Sequence, residues 1–468
     1  MSARRLTPLR IGLGLILLGS SGGALALGLM GNDSGVTAAA PTSMPELVGA
    51  GSPTRTSTQM PTAIGIPLPP AGGSTASVDE RVAFWEARVA ANATDYSSTI
   101  ALIDGYLDRV RATGDLADLV RADSALARAR ALAPTGDVRL LLREGQVAFT
   151  QHDFTAARDA AGEALELDPG NEAAVALLGD ASLELGDEAG ATNAYERLAP
   201  LAATAPVLSR RARYDLLTGD TVAAEAGMRA AVEAAEIEGF ADQAASYRLQ
   251  LAELLRGENR VDEAAAVYEA ILDATPDHVR AMGGLARIRE AQGRRADAIE
   301  LLERATTRLP MPDLVADLGD LHALDGRSEA ASESYALVER IAEVARASGG
   351  VYDRQLVLFL ADHAMRVDEA VEIAEAELRS RKDVYGHDAL AWALYRAGRL
   401  DEADAAAREA MRLGTPDGRI LYHAGLIAMA LGRTDDALDL LTGAAAHEAA
   451  LPPIQVPELR AALDALQD

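Results

Sequence analysis

Side chains able to do chemistry are sparse in this chain and lie far apart. It has seven histidines, His152, His278, His322, His363, His387, His423 and His447, and no cysteine. A zinc site needs ligands at fixed helical spacing, as in His-Glu-x-x-His, and no such pair occurs. Without Cys there is no thiolate nucleophile, no disulfide and no Cys-bound metal. No Gly-rich phosphate loop follows a strand pattern, and no Ser sits in a nucleophile elbow. One place could bring acid–base or metal groups together: His363 beside Asp362, and His387 beside Asp388. Scattered solvated histidines are the simpler reading. The sequence therefore points to recognition and not to an enzyme, with no catalytic residue, metal ligand or cofactor assigned.

Any recognition surface must be held by the elements around it. The chain has 468 residues, too many for one core of ordinary size. Its composition, 49% hydrophobic and 25% charged, is that of ordered protein, yet aromatics are only 4%. Small side chains, Ala above all, suit closely stacked helices, and the period-two runs of a sheet are missing. A formal charge of −27 disfavours nucleic acid, which needs clustered positive charge. Lys382 is the sole Lys among 44 basic residues.

Residues 1–30 read as a signal peptide or a membrane anchor. Arg4, Arg5 and Arg10 precede an apolar run from Ile11 to Met30. Ala24-Leu25-Ala26 offers a cleavage site, whereas twenty apolar residues can also just span a bilayer. Either reading places the rest outside the cytoplasm: periplasmic, at the cell surface or secreted. Residues 31–78, with seven Pro and three charged residues, read as a disordered linker.

From Asp79 onward apolar residues recur at helical steps. The turns share a pattern: Arg260-Val261-Asp262-Glu263-Ala264, Arg399-Leu400-Asp401-Glu402-Ala403, Arg433-Thr434-Asp435-Asp436-Ala437. Its last Ala recurs as Ala157, Ala191, Ala224, Ala264, Ala298, Ala331, Ala370, Ala403 and Ala437, at steps of 34, 33, 40, 34, 33, 39, 33 and 34. Each small residue marks a close crossing of two helices. Gly186, Gly219, Gly293, Gly326, Gly398 and Gly432 close the first helix of a unit. Pro169, Pro276, Pro310 and Pro416 stop the second. The two long steps predict second helices extended by about one and a half turns.

This pattern resembles the tetratricopeptide repeat, a helix–turn–helix of 34 residues. Leu178-Gly179 and Leu318-Gly319 match the family's Leu-Gly pair, and Tyr195, Tyr268 and Tyr335 match its second-helix aromatic. The units around Ala224 and Ala370 depart from it, the latter with Met365 in place of the turn Gly. The resemblance implies an all-α, right-handed superhelical solenoid of about nine to ten repeats. Residues 79–137 would be a degenerate N-terminal helical pair, 138–450 the solenoid, and 451–468 a C-terminal capping helix. The stack should form an elongated curved ribbon with no central core.

In this family the first helix of each unit lines the inner concave face. The resemblance then places Tyr352, Gln355, Phe359 and Asp362, then Tyr385, Asp388, Trp392 and Tyr395, then Arg419, Tyr422, Leu426 and Met429 in a groove. Arg213, Arg256, Arg280 and Arg287 line its middle. Aromatics there suit a peptide; the arginines could clamp a carboxylate or pair with neighbours such as Glu253 and Glu290. The implied function is a non-catalytic scaffold for a protein or peptide partner. The alternative is a small-molecule or metal-binding accessory protein using the C-terminal groove. Membrane contact would come only through the N-terminal segment.

Overall fold

The computed structural model describes residues 78–113, 117–198, 204–239, 241–347 and 353–467, and every regular element among them is helical. The expected signal peptide or anchor and nearly all of the linker lie outside the described residues. Three helices come first: α1 (Val78–Ala91), α2 (Tyr96–Thr113) and α3 (Ala117–Leu132). Nine antiparallel pairs follow: α4/α5 (Val138–Thr150, Phe154–Leu167), α6/α7 (Glu172–Glu184, Glu188–Leu198), α8/α9 (Ala205–Leu217, Thr221–Ile237), α10/α11 (Ala241–Gly257, Val261–Ala274), α12/α13 (Val279–Ala291, Arg295–Arg308), α14/α15 (Pro312–Leu324, Ser328–Ala347), α16/α17 (Asp353–Asp362, Val367–Glu377), α18/α19 (Val384–Arg396, Leu400–Ala410) and α20/α21 (Gly418–Ala430, Thr434–Ala446). A short 3-10 turn (Glu448–Ala450) and α22 (Gln455–Gln467) end the described chain. The stretch 79–137, expected to be one helical pair, holds three helices, because Val82 and Val89 of α1 are buried against Ile103 and Leu107 of α2.

The repeat physics is visible in the packing. Ala157, Ala191, Ala224, Ala264, Ala298, Ala370, Ala403 and Ala437 are all fully buried where the two helices of a unit cross. A Cβ on Gly179 would meet the Tyr195 ring at 3.0 Å, and one on Gly319 would meet Tyr335 at 2.5 Å. Each Gly thus makes room for a second-helix Tyr, whose hydroxyl donates to an acid on the first helix. The bonds are Tyr195 to Asp180 (2.8 Å), Tyr268 to Glu253 (2.6 Å) and Tyr335 to Asp320 (2.9 Å), each across 15 residues. The long steps do lengthen second helices: α9 has 17 residues and α15 has 20, against 14 in α11 and α13. Where Met365 replaces the turn Gly, the left-handed backbone falls on Ala364 (φ 50) and Arg366 (φ 41) instead, a conformation that L residues adopt at a cost.

The solenoid is wound more tightly than an open ribbon. Loops between later units touch turns within earlier ones along a seam. Arg381 Nε donates to the Glu184 carboxylate across 197 residues, at 2.6 Å. Thr415 Oγ1 donates to the Leu217 carbonyl across 198 residues, at 2.7 Å. His447 Nδ1 meets the Gly257 carbonyl across 190 residues, at 2.7 Å. The Lys382 amide also donates to the Glu184 carbonyl, and Arg412 pairs with Glu188. Glu184, Leu217 and Gly257 are the last residues of three successive first helices, where carbonyls lack intrahelical donors. The near-constant offset makes the seam a contact between successive superhelical turns.

Candidate functional site: the inner face of the superhelix

The inner face is lined by the first helix of each unit, and its character changes along the chain. Over α6 to α14 it is a ladder of charges that satisfy one another. Asp180 accepts from Arg210 Nε at 2.8 Å, both side chains being 1% exposed. Glu184 accepts from Arg213 (2.9 Å) as well as from Arg381. Arg256 pairs with Glu253 at 2.8 Å and donates to the Ala449 carbonyl at 2.6 Å. Arg287 donates to Asp317 (2.6 Å) and Asp313 (3.2 Å). Burial would lower Arg210, Arg213 and Arg256, but the adjacent carboxylates hold all three above the ordinary guanidinium range. Asp317 is also raised, but there burial prevails: only partly offset by Arg287, it pushes the carboxyl up to about 6.

Over α16 to α20 the lining becomes aromatic. Trp392 stacks on His423 (centroids 4.2 Å apart) and on Tyr395 (5.1 Å), and Tyr422 lies 5.7 Å away. Trp392 Nε1 donates to Asp362 at 2.8 Å. Asp388 and His423 Nδ1 are 2.8 Å apart. Further back, Phe359 stands 5.7 Å from Tyr335 and 4.6 Å from His363, whose Nε2 reaches Asp320 at 2.8 Å.

This aromatic face is occupied by the chain's own segment 447–459. Leu451 and Leu459 are buried in the same apolar cluster as Trp392, Tyr422 and Phe359. Gln455 Nε2 donates to Asp362 at 2.8 Å and lies 3.2 Å from His423 Nε2. The Tyr422 hydroxyl donates to Glu458 at 2.9 Å, and burial beside that carboxylate drives the phenol far above its ordinary range.

The residues expected in the groove are therefore spoken for. Phe359, Asp388, Trp392 and Tyr422 are buried, and Tyr395 is half-buried against Trp392. Tyr385 belongs to a different cluster, packed with Val175, Tyr195 and Val207 across the seam. Tyr352 lies outside the described residues. Arg213, Arg256 and Arg287 hold carboxylates of this chain, Arg256 on its own helix and the other two on neighbouring units, while Arg280 is half-buried. Of the His363, Asp362, His387 and Asp388 side chains that the sequence offers for metal or acid–base work, Asp362 is bonded to Trp392 and Gln455, Asp388 to His423, and His363 to Asp320. Among the described residues no group of three or more His, Asp or Glu side chains could hold a metal ion. Among them also, no helix is long and apolar enough to cross a membrane.

Sequence reasoning missed Gln455, Glu458 and Ala449, because the segment after the last repeat was given only a covering role. Pro452-Pro453 is the available signal: it halts helical continuation and turns the chain before α22 begins at Gln455.

The architecture defines a helical-repeat solenoid with a lined inner face. The family model described as "Tetratricopeptide repeat" matches residues 142–206, 210–279, 249–310, 284–345 and 389–452, more than half of the chain. The chain belongs to the tetratricopeptide repeat family. No curated protein matches the sequence. Among solved structures, a human IFIT1 dimer with m7Gppp-AAAA is 14% identical, with a TM-score of 0.46 over 72% of this chain and 78% of that one. Yeast Tom70 is 12% identical, with a TM-score of 0.33 over 83% and 92%. PilW, a type IV pilus biogenesis factor, is 19% identical, with a TM-score of 0.36 over 44% and 94%.

Proposed function

We propose that this is a non-catalytic interaction scaffold acting outside the cytoplasm, and that it holds a segment of a partner protein on the inner face of α16 to α20. One observation carries the reading: that face already grips a turn and the first turn of a helix, Leu451 to Leu459, by apolar anchors, an amide and a carboxylate. A surface with large aromatic rings and fixed polar atoms binds peptide at small entropic cost. Export rests on Arg4, Arg5 and Arg10 ahead of the apolar run from Ile11 to Met30.

The test is native co-purification from cell-envelope and secreted fractions, using the full chain and the variants Tyr395→Ala and Trp392→Phe. A partner recovered by the parent and reduced in both variants, with unchanged helicity, supports the reading. Equal recovery in all three removes the inner face from the function. Retention of the intact chain in the cytoplasmic fraction removes the export.

A further inference from the structure

Residues 447–459 do more than cover the last repeat. They run from the inner face of α10, where the Ala449 carbonyl accepts from Arg256, to Asp362 on α16 and His423 on α20. We infer that this segment is a built-in, displaceable ligand, and that the partner segment carries the same chemistry: an apolar anchor, a carboxamide four residues on, then an acid and a second apolar anchor. The inference rests on the partner-binding reading above and names what that face selects.

The contacts define the selection. The Gln455 amide nitrogen has two hydrogens. One goes to Asp362 Oδ1, and the other points to His423 Nε2, an acceptor when the ring carries its proton on Nδ1 and donates it to Asp388. A carboxylate in place of Gln455 would meet Asp362 as a like charge and offer His423 no donor. An apolar residue would leave both without a partner from this segment. Leu451 and Leu459 fix the register on either side, 5% and 0% exposed. Glu458 then takes the Tyr422 hydroxyl at 2.9 Å and lies 4.0 Å from Arg396.

The same contacts show why the segment can leave. It satisfies the face incompletely: Asp388 Oδ2 and Arg419 Nε and Nη2 are buried with no hydrogen-bond partner, and its own Gln455 Oε1 is likewise unpaired. Arg419 Nε lies 3.5 Å from Asp388, a charge contact and not a hydrogen bond. A partner segment that reaches Asp388 and Arg419 gains bonds that the chain's own segment does not make. What favours the resident segment is tethering, which gives an effective concentration on the order of millimolar. An incoming segment therefore binds with an affinity reduced by the fraction of molecules whose face is open.

The test uses the full chain and a labelled synthetic peptide of residues 447–467, with binding read by fluorescence anisotropy. The variant Gln455→Ala with Leu459→Asp should bind the peptide at least about tenfold tighter than the parent, because its own segment no longer competes. A peptide carrying Gln455→Ala should compete at least about tenfold less well, since each unmade buried hydrogen bond weakens binding by roughly that factor. Gln455→Ala alone guards against misfolding of the double variant: hydrogen exchange over 451–467 should speed up while α18 and α20 stay protected. Equal peptide affinity for parent and variant overturns the inference. So does protection of 451–467 that matches α20 in both parent and Gln455→Ala, which would make the segment an integral part of the last repeat. A cellular partner recovered equally by parent and double variant leaves the scaffold standing and removes only the exchange.

Discussion

The inner face over α6 to α14 and the inner face over α16 to α20 solve the same problem in opposite ways. Both bury polar and bulky side chains on a surface that a wide superhelix would leave open. In the first stretch each charge finds its counter-charge on the same or an adjacent helix, as Asp180 finds Arg210 and Asp317 finds Arg287. Most of that lining pairs within the stretch, with Arg256 also donating to the Ala449 carbonyl and Glu184 also accepting from Arg381. In the second, the Tyr422 hydroxyl and His423 Nε2 find their partners, and Asp362 a second donor, only when Gln455 and Glu458 arrive from beyond the last pair. A charged lining pairs largely within itself; an aromatic one takes more of its polar partners from an occupant. The recognition surface proposed above lies in the second stretch for that reason, although the sequence offers candidates in both.

Removing one member of the ladder should have the largest effect. Asp180→Ala leaves the Arg210 guanidinium and the Tyr195 hydroxyl buried without their acceptor. The expected loss is about 3–5 kcal/mol in urea unfolding, the usual cost of an uncompensated buried charge. Asp180→Leu with Arg210→Met should recover much of it, since isosteric apolar pairs often replace buried ion pairs without loss. Failure of the double replacement to recover would mean that the ladder is not self-contained.

Trp392→Phe probes the other stretch more gently. It keeps most of the ring but removes the Nε1 donor to Asp362, which then depends on Gln455 alone. A loss of about 1–3 kcal/mol is expected, together with faster hydrogen exchange in 455–467. Stability lost with exchange unchanged would separate the aromatic lining from its occupant.

The smallest effect is a pH dependence at the border of the two stretches. Burial lowers His363, but its hydrogen bond and charge contact with Asp320 outweigh that and leave it above the ordinary imidazole value. The folded state thus holds the proton more tightly than the unfolded one. His363 adds its full share of stability below pH of about 6.5 and loses it as pH rises through its folded value. The urea midpoint of the parent should fall relative to that of His363→Gln between pH 6 and 8.5. A constant difference across that range would show that Asp320 and His363 do not share a proton.

Much of the fold is legible in the sequence because it is local. The buried Ala series, the turn glycines and the extended α9 and α15 all follow from steps of 33 to 40 residues. The seam is not legible. It depends on superhelical pitch, the sum of small rotations between units, and no single repeat records it. Gly186 illustrates this. Its positive φ of 75° is expected of a helix end, but a Cβ there would also meet the Lys382 carbonyl at 3.0 Å, a contact from the next superhelical turn. Gly293, Gly326, Gly398 and Gly432 look the same in sequence and have nothing within 4 Å. The inner-face positions of Trp392 and Tyr422 followed from family resemblance, but that their occupant is Gln455's own segment did not.

The seam also governs how the molecule comes apart. In a linear array each unit leans only on its neighbours, so melting can begin at an end and advance like a zipper. Here bonds from Thr415 to Leu217 and from His447 to Gly257 staple distant units together. Fraying of the last pair then strips support from α8 and α10, halfway along the chain. Closing contacts so far apart in sequence makes assembly slow, and it couples the two halves into a single cooperative event.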